Sequence, residues 1–195
     1  MTVIGLVRHG ITDWNLQWRA QGHTDIPLNE EGRRQAERLA RRLLDESWDA
    51  VYSSDLIRAL ETARKAIEGR GIEVRTDIRL REVNLGQIEG TTEEDRVSKW
   101  GADWKKLDLG AEPREAVADR GVQALEEIAV LHPGKRILVV SHGGLIGQTI
   151  PRLVPLGETI SFIGNTSVTL VRKAGDGTWA CELFNCTKHL EQADG

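Results

Sequence analysis

The sequence predicts an α/β fold built on a largely parallel sheet with helices on both faces. Residues 3–7 (Val-Ile-Gly-Leu-Val) and 137–140 (Ile-Leu-Val-Val) are short aliphatic runs without polar alternation, the pattern of strands buried on both faces. Both runs lead into a histidine followed by glycine, as Arg8-His9-Gly10 and Ser141-His142-Gly143. Segments of helical period lie between the apolar runs, as crossover connections between parallel strands require.

The first strand delivers Arg8 and His9 to its C-terminal edge, where open α/β sheets hold their ligands. Gly10 lets the chain turn sharply there. Residues 11–22 are polar and mixed and predict an irregular segment whose amides and side chains can reach an anion. Thr12 and Asn15 read equally as such contacts or as ordinary caps. Asn29 reads as the N-cap of a helix with Glu30 and Glu31 in its first turn. Ala36, Leu39, Ala40 and Leu43 form its inner face, and Arg33, Arg34, Arg38, Arg41 and Arg42 read as a solvated face. Residues 48–52 predict a second strand, and Ser53-Ser54-Asp55 leads into a helix with Ile57, Leu60, Ala63 and Ile67 inward. Arg58 falls in that helix's first turn, where a cation opposes the dipole. A salt bridge to Asp55 or Glu61 is the plain explanation, and an anion-binding arginine at the sheet edge is the sharper one.

Residues 72–75 predict a short third strand, and the loop after it carries Glu82, either surface decoration or a proton donor at the same edge. Residues 93–107 predict a helix with Trp100 and Trp104 one turn apart, a spacing usual in packing. Residues 91–114 as a whole read as an inserted segment that selects substrate, since such selection tends to reside in loops. Residues 115–131 show a clear helical period through Ala118, Val122, Leu125, Ile128 and Ala129, and 145–153 follow the second histidine as a further helix. Residues 166–173 and 178–184 flank Ala174-Gly175-Asp176-Gly177, a hairpin signal. The polar C-terminal tail reads as loosely held.

A chain of 195 residues, 39% hydrophobic and 29% charged, suits one globular domain, 1–195. No apolar run approaches the ~20 residues of a membrane span, and no signal peptide precedes the first strand. Cys181 and Cys186 suggest neither a disulfide framework nor a metal site, which fits a cytoplasmic protein. A net charge of −4 does not favour a nucleic-acid partner, so cations for an anionic ligand must be concentrated locally.

The predicted architecture brings Arg8, His9, Arg58, Glu82 and His142 to one sheet edge. Arginines grip phosphate oxygens in a fork. A histidine near its ordinary pKa of about 6.5, lowered further by arginines, is a competent nucleophile toward phosphorus. Arg8, Arg58 and His142 would hold the charge on the transferring group. Glu82, kept protonated by burial or a carboxylate neighbour, would donate to the leaving alkoxide. The five histidines lack the close pairing of a zinc site, no Walker loop is present, and no cofactor is required.

These residues resemble the histidine phosphatase superfamily, the phosphoglycerate-mutase-like proteins. The resemblance runs through Arg8-His9-Gly10-Ile11-Thr12-Asp13-Trp14-Asn15, then Gln21-Gly22-His23-Thr24-Asp25-Ile26-Pro27-Leu28, Ser53 to Ala63 around Arg58, Leu80-Arg81-Glu82 with Gly86 and Glu89-Gly90, and Ser141-His142-Gly143-Gly144. It implies a three-layer α/β/α sandwich, a phosphohistidine at His9, phosphate contacts from Arg8, Arg58 and His142, and Glu82 as proton donor. Asn15, Gln21, Gly22 and Gly143 match positions near the phosphate. Ile11 stands where the family usually has Glu or Gln. Gly143 replaces the Asn of the mutases, and 91–114 lacks their adjacent arginine pair.

The expectation is therefore a metal-independent phosphomonoesterase acting on a small phosphorylated metabolite. A cofactor-dependent phosphoglycerate mutase is the enzyme alternative, and a non-catalytic phosphate- or partner-binding module on the same fold is the other. Monomer and homodimer are both open.

Overall fold

A computed structural model describes residues 1–154 and 162–191. Six strands form one sheet: β1 Thr2–Arg8, β2 Ala50–Ser53, β3 Val74–Thr76, β4 Arg136–Ser141, β5 Val168–Lys173 and β6 Trp179–Cys186, in the order β3-β2-β4-β1-β5-β6. The first four run parallel, and β5 joins β1 antiparallel before turning back into β6. The helices are α1 Asp13–Leu16, α2 Glu30–Arg42, α3 Ile57–Ala66, α4 Glu93–Trp100, α5 Arg114–Leu131 and α6 Gly143–Leu153. The predicted α/β class, with its mainly parallel sheet, is the observed one.

Two apolar clusters lie on the two faces of the sheet. One packs α5 and α6 against Ile4, Leu6, Ile137 and Val139. The other packs α2 and α3 against Val7, Val51, Leu138 and Val140. Neighbouring strand residues alternate between these clusters because side chains alternate across a strand. This is the physical content of the unbroken aliphatic runs at β1 and β4.

Local differences from the sequence reading have identifiable causes. Residues 11–22, expected to be irregular, contain the one-turn helix α1, closed by a capping box in which Thr12 and Asn15 cap each other's backbone amides. Helix α3 buries Ala63 and Ile67 as expected, but the rest of its inner face is rotated: Arg58, Ala59, Thr62 and Ala66 are buried, while Ile57 and Leu60 are only half-buried. The helix expected over 93–107 breaks at Gly101, whose φ of 82° is left-handed, and continues as a 3-10 turn at Trp104–Lys106. Trp104 is buried there and donates through Nε1 to Glu93, 2.9 Å away. The arginines of α2 are not all solvated, since Arg42 reaches the Cys186 carbonyl and the His189 ring. His189 is itself buried, so the tail is docked as far as the turn Lys188–Leu190. The last four residues of the expected loose tail lie outside the described residues. Among the described residues no helix is long and apolar enough to cross a membrane.

Candidate active site

Strands β1 and β4 are parallel neighbours in the register Arg8↔Ser141. The residues just beyond them are therefore His9 and His142, and both rings are buried. The chain after β1 is tied to β4 by the His9 amide donating to the Ser141 carbonyl at 2.9 Å. On its other side the Asn165 amide nitrogen donates to the His9 carbonyl at 3.0 Å.

The His9 Nδ1 lies 2.6 Å from the Gly10 carbonyl. A carbonyl only accepts, so Nδ1 carries the proton and Nε2 keeps its lone pair. Burial, then Arg58 and Arg8, push the His9 pKa well below its ordinary value. His142 is lowered likewise, by burial first and then by Arg58, His9 and Arg8. Both rings are neutral at pH 7, so what His142 can offer an anion is an N–H donor and not the positive charge its residue type allowed.

Arg58 is fully buried. Neither Asp55 nor Glu61 holds it: Asp55 pairs with Arg81, and Glu61 pairs with Arg33. Its Nη1 and Nη2 donate instead to the Thr24 and Gly22 carbonyls at 3.0 and 2.8 Å. Asp25 from the same loop takes the Ile57 amide at 2.7 Å, which supplies the acidic cap that the first turn of α3 lacks. Burial brings the Arg58 pKa down to about 10, against the opposing pull of Glu82, Asp25 and Glu89, so it remains a cation at neutral pH. Arg8 donates to the Ile163 carbonyl at 2.5 Å, and its guanidinium lies 5.5 Å from the Phe162 ring centroid.

Four buried nitrogens of this cluster have no hydrogen-bond partner among the described residues: Arg8 Nε, Arg58 Nε, and both ring nitrogens of His142. A buried unpaired polar group costs about 1–3 kcal/mol. Their concentration around one histidine is the signature of a site built for an oxygen-rich anion.

Glu82 sits at the start of α6. Its Oε1 accepts from the Val83 and Leu145 amides at 2.9 and 3.1 Å, and its Oε2 accepts from the Gly144 amide at 3.1 Å. The side chain is half-buried, and these neighbours are backbone amides, not the carboxylate that one version of the sequence reading called for. A Cβ on Gly144 would fall 2.4 Å from Glu82 Oε1, and one on Gly143 would fall 3.2 Å from Arg8 Nε. The two glycines let the helix start close against both side chains.

Asn15 and Gln21 meet at Thr12, whose hydroxyl lies 3.1 Å from Asn15 Oδ1 and 2.9 Å from Gln21 Oε1. Asn15 is thus a cap, whatever else its amide nitrogen touches. Gly22 contributes its carbonyl to Arg58. Ile11 contributes backbone only among its polar contacts, with its amide donating to Gln35 at 2.9 Å.

The sequence reading missed three residues around this set. Thr62 accepts the Gly10 amide at 3.0 Å and donates to the Arg58 carbonyl at 2.7 Å. His23 donates through Nε2 to the Glu82 carbonyl at 2.8 Å. Glu89 binds the backbone of the 22–24 loop. Burial pushes the Glu89 carboxyl up, and the His23, Thr24 and Leu85 hydrogen bonds outweigh it, so it lies below the ordinary value. All three stand in the motif blocks quoted above without an assigned role, and their contacts to Gly10, Glu82 and the 22–24 loop cross long sequence separations that no local spacing signals. Among the described residues no group of His, Cys, Asp and Glu side chains is placed to hold a metal ion.

This arrangement belongs to a known class of protein. The pattern of the histidine phosphatase superfamily (branch 1) matches residues 4–187, and the chain is a member of that family. It is 38% identical over 97% of its length to the Arabidopsis thaliana protein named phosphoglycerate mutase-like protein 4, covering 87% of that protein. It is 35% identical, again over 97% of its length, to the metal-independent phosphoserine phosphatase of the same plant, covering 84% of it. Among solved structures, Bacillus stearothermophilus YhfR superposes with a TM-score of 0.88 at 34% identity, covering 97% of this chain and all of that one. The phosphatase relatives support a phosphatase enzyme.

Proposed function

We propose that the chain hydrolyses a small phosphomonoester through a phosphohistidine at His9 Nε2, without a metal. The observation that carries this is the 2.6 Å approach of His9 Nδ1 to the Gly10 carbonyl. It leaves Nε2 unprotonated, in a ring kept neutral beside two arginines and His142.

In the first half-reaction the Nε2 lone pair attacks phosphorus and the P–O ester bond breaks. The departing alkoxide takes a proton from Glu82 and leaves as the alcohol. Oε2 of Glu82 accepts a single amide where Oε1 accepts two, so Oε2 is the oxygen with room for that proton. In the second half-reaction Glu82, now a carboxylate, takes a proton from water. The water oxygen attacks phosphorus, the P–N bond breaks, and inorganic phosphate departs with His9 restored. Arg8, Arg58 and the His142 N–H hold the equatorial oxygens in both halves. Asn15, Gln21, Gly22 and Gly143 shape the rim of that pocket, and the 91–114 segment, with α4 and the Trp104 turn, is the substrate-selecting part of a single domain.

The phosphatase reading is favoured over the mutase one by Gly143 in place of the mutases' Asn and by the lack of an adjacent arginine pair over 91–114. Phosphate release from a panel of phosphomonoesters, phosphoserine included, tests the proposal, with His9→Ala alongside and EDTA present throughout. Release from one or a few esters, lost in the variant, is the expected result. Phosphate exchange between monophosphoglycerates primed by a bisphosphoglycerate, without net release, would instead select the mutase. Phosphate binding without either activity would select the binding module.

A further inference from the structure

We propose that Glu89 is a positioning residue for this reaction, acting through the 22–24 loop on both Arg58 and Glu82. The proposal rests on the reading of the site given above. Glu89 takes hydrogen bonds from four donors. Oε1 accepts from the His23 amide at 2.8 Å and the Leu85 amide at 3.1 Å. Oε2 accepts from the Thr24 amide at 2.9 Å and the Thr24 hydroxyl at 2.7 Å.

The loop it grips from behind is the one that faces the site. The Gly22 and Thr24 carbonyls receive the two Arg58 Nη groups. Between them, the His23 ring donates to the Glu82 carbonyl at 2.8 Å. The Leu85 amide draws the chain just after Glu82 onto the same carboxylate. One side chain thereby fixes the carbonyls that orient a fully buried arginine and the peptide that carries the proton donor. Gly22 makes this approach possible: its φ is +53°, and a Cβ there would lie 1.9 Å from Glu89 Oε1.

The donor set demands a carboxylate. Each oxygen faces at least one backbone N–H, which cannot turn away or accept. An amide must present its NH₂ group to one side or the other, so glutamine leaves N–H groups opposed in either flip. Aspartate is one methylene too short to reach both segments.

The test is Glu89→Gln, read by direct calorimetric binding of inorganic phosphate, by kcat and KM separately, and by Tm in the absence of phosphate. We expect phosphate to bind about 10-fold more weakly and kcat to fall by a similar factor, on the scale of removing a residue that orients a binding group. The same substitution in an Arg58→Lys background should change phosphate affinity much less, because the group it orients has already been altered. A lowered Tm with phosphate affinity and kcat unchanged would overturn the proposal and leave Glu89 a structural brace. An undiminished effect in the Arg58→Lys background would overturn the route through Arg58. Thr24→Val removes one of the four bonds and leaves the backbone intact. If Glu89→Gln does not fold, Thr24→Val should weaken phosphate in the same direction by a smaller factor, and an unchanged affinity would count against the proposal. Phosphate affinity is read without turnover, so a wild-type chain that releases no phosphate overturns the reaction and leaves this test of Glu89 standing.

Discussion

The rings of His9 and His142 lie 5.1 Å apart between centroids, tilted by 56°. They follow adjacent parallel strands in register, so the sheet itself sets their separation, and no loop has to find it. Two neutral imidazoles at that distance can divide the work on one phosphoryl group, one attacking phosphorus and the other donating to an oxygen.

Substituting the two histidines should separate these roles. His9→Ala removes the proposed nucleophile, and turnover should fall to background with no base-stable, acid-labile covalent phosphate trapped on alkaline denaturing quench. His142→Ala removes one donor to the transferring group. By analogy with the loss of a single oxyanion donor, kcat should fall about 10²–10³-fold, with phosphoenzyme still detectable. Phosphoenzyme in His9→Ala would sink the assignment of the nucleophile.

Glu82→Gln keeps the shape of the side chain and removes its acid. Esters with alkyl leaving groups need that proton, and nitrophenyl esters need it far less. The variant should therefore lose about 10²-fold or more on the first and much less on the second. Equal losses on both would argue that Glu82 serves only to anchor the start of α6.

Gly144→Ala tests the same carboxylate from the opposite side. The new Cβ would fall 2.4 Å from Glu82 Oε1 and 2.8 Å from Val83 Cγ2. Glu82 must then move while Arg58 and His9 are untouched. The expected outcome is a loss concentrated in kcat on alkyl esters, with the affinity for inorganic phosphate retained. A loss of phosphate affinity of the same size would mean that the start of α6 and the anion pocket shift together.

How much of this was readable in the chain depended on the range of the interaction. Strands β1 and β4 were readable because both faces of each are buried, which leaves an aliphatic run that few other environments produce. The histidines follow such elements directly and Arg8 ends one, whereas Glu82 comes after the short, exposed strand β3 and the Ile78–Leu80 turn and was readable only as surface decoration or a proton donor. Arg58 was readable only as an anomaly, a cation in a first helical turn, and its resolution needed the Gly22 and Thr24 carbonyls from a loop 34 residues or more away. Thr62, His23 and Glu89 stood inside the motif blocks, but nothing local showed what they do, since each acts on backbone brought near by the fold. The break at Gly101 could have been read from the glycine itself, but the tryptophan spacing across it suggested one continuous helix.

On the proposed mechanism, the depressed pKa of His9 sets the acid limb of the rate profile. The reactive form is the neutral ring, and burial with Arg58 and Arg8 holds its pKa well below 6.5. Lowering the pH from 8 through 6.5 therefore does not protonate it in the free enzyme. Once the substrate's own second phosphate ionisation, at about pH 6, is allowed for, we expect kcat/KM to show no further loss centred near 6.5. A further drop centred there that disappears in no other histidine variant would show His9 titrating as an exposed imidazole.

His189 links the docked tail to stability. Arg42 donates to its Nδ1 at 3.1 Å, so Nε2 carries the proton and lies 3.2 Å from the Thr166 hydroxyl. Burial first, then Arg42 and Arg38, brings its pKa down to about 4. Its folded pKa is therefore below the unfolded value of about 6.5. Above pH 6.5 neither state binds the proton and the full stability is present. As the pH falls below 6.5 the unfolded chain takes up a proton that the folded chain refuses. Stability from this group should decline by about 1.4 kcal/mol per pH unit until about pH 4. His9 and His142 contribute slopes of the same sign, so the comparison must be with His189→Asn, which leaves both in place. Urea unfolding of the two proteins at pH 7, 6 and 5 measures the difference. The variant should be the less stable at pH 7 and should close the gap by about 1 kcal/mol per unit on acidification. Parallel curves would mean that His189 is protonated in the folded chain, with the Arg42 contact broken.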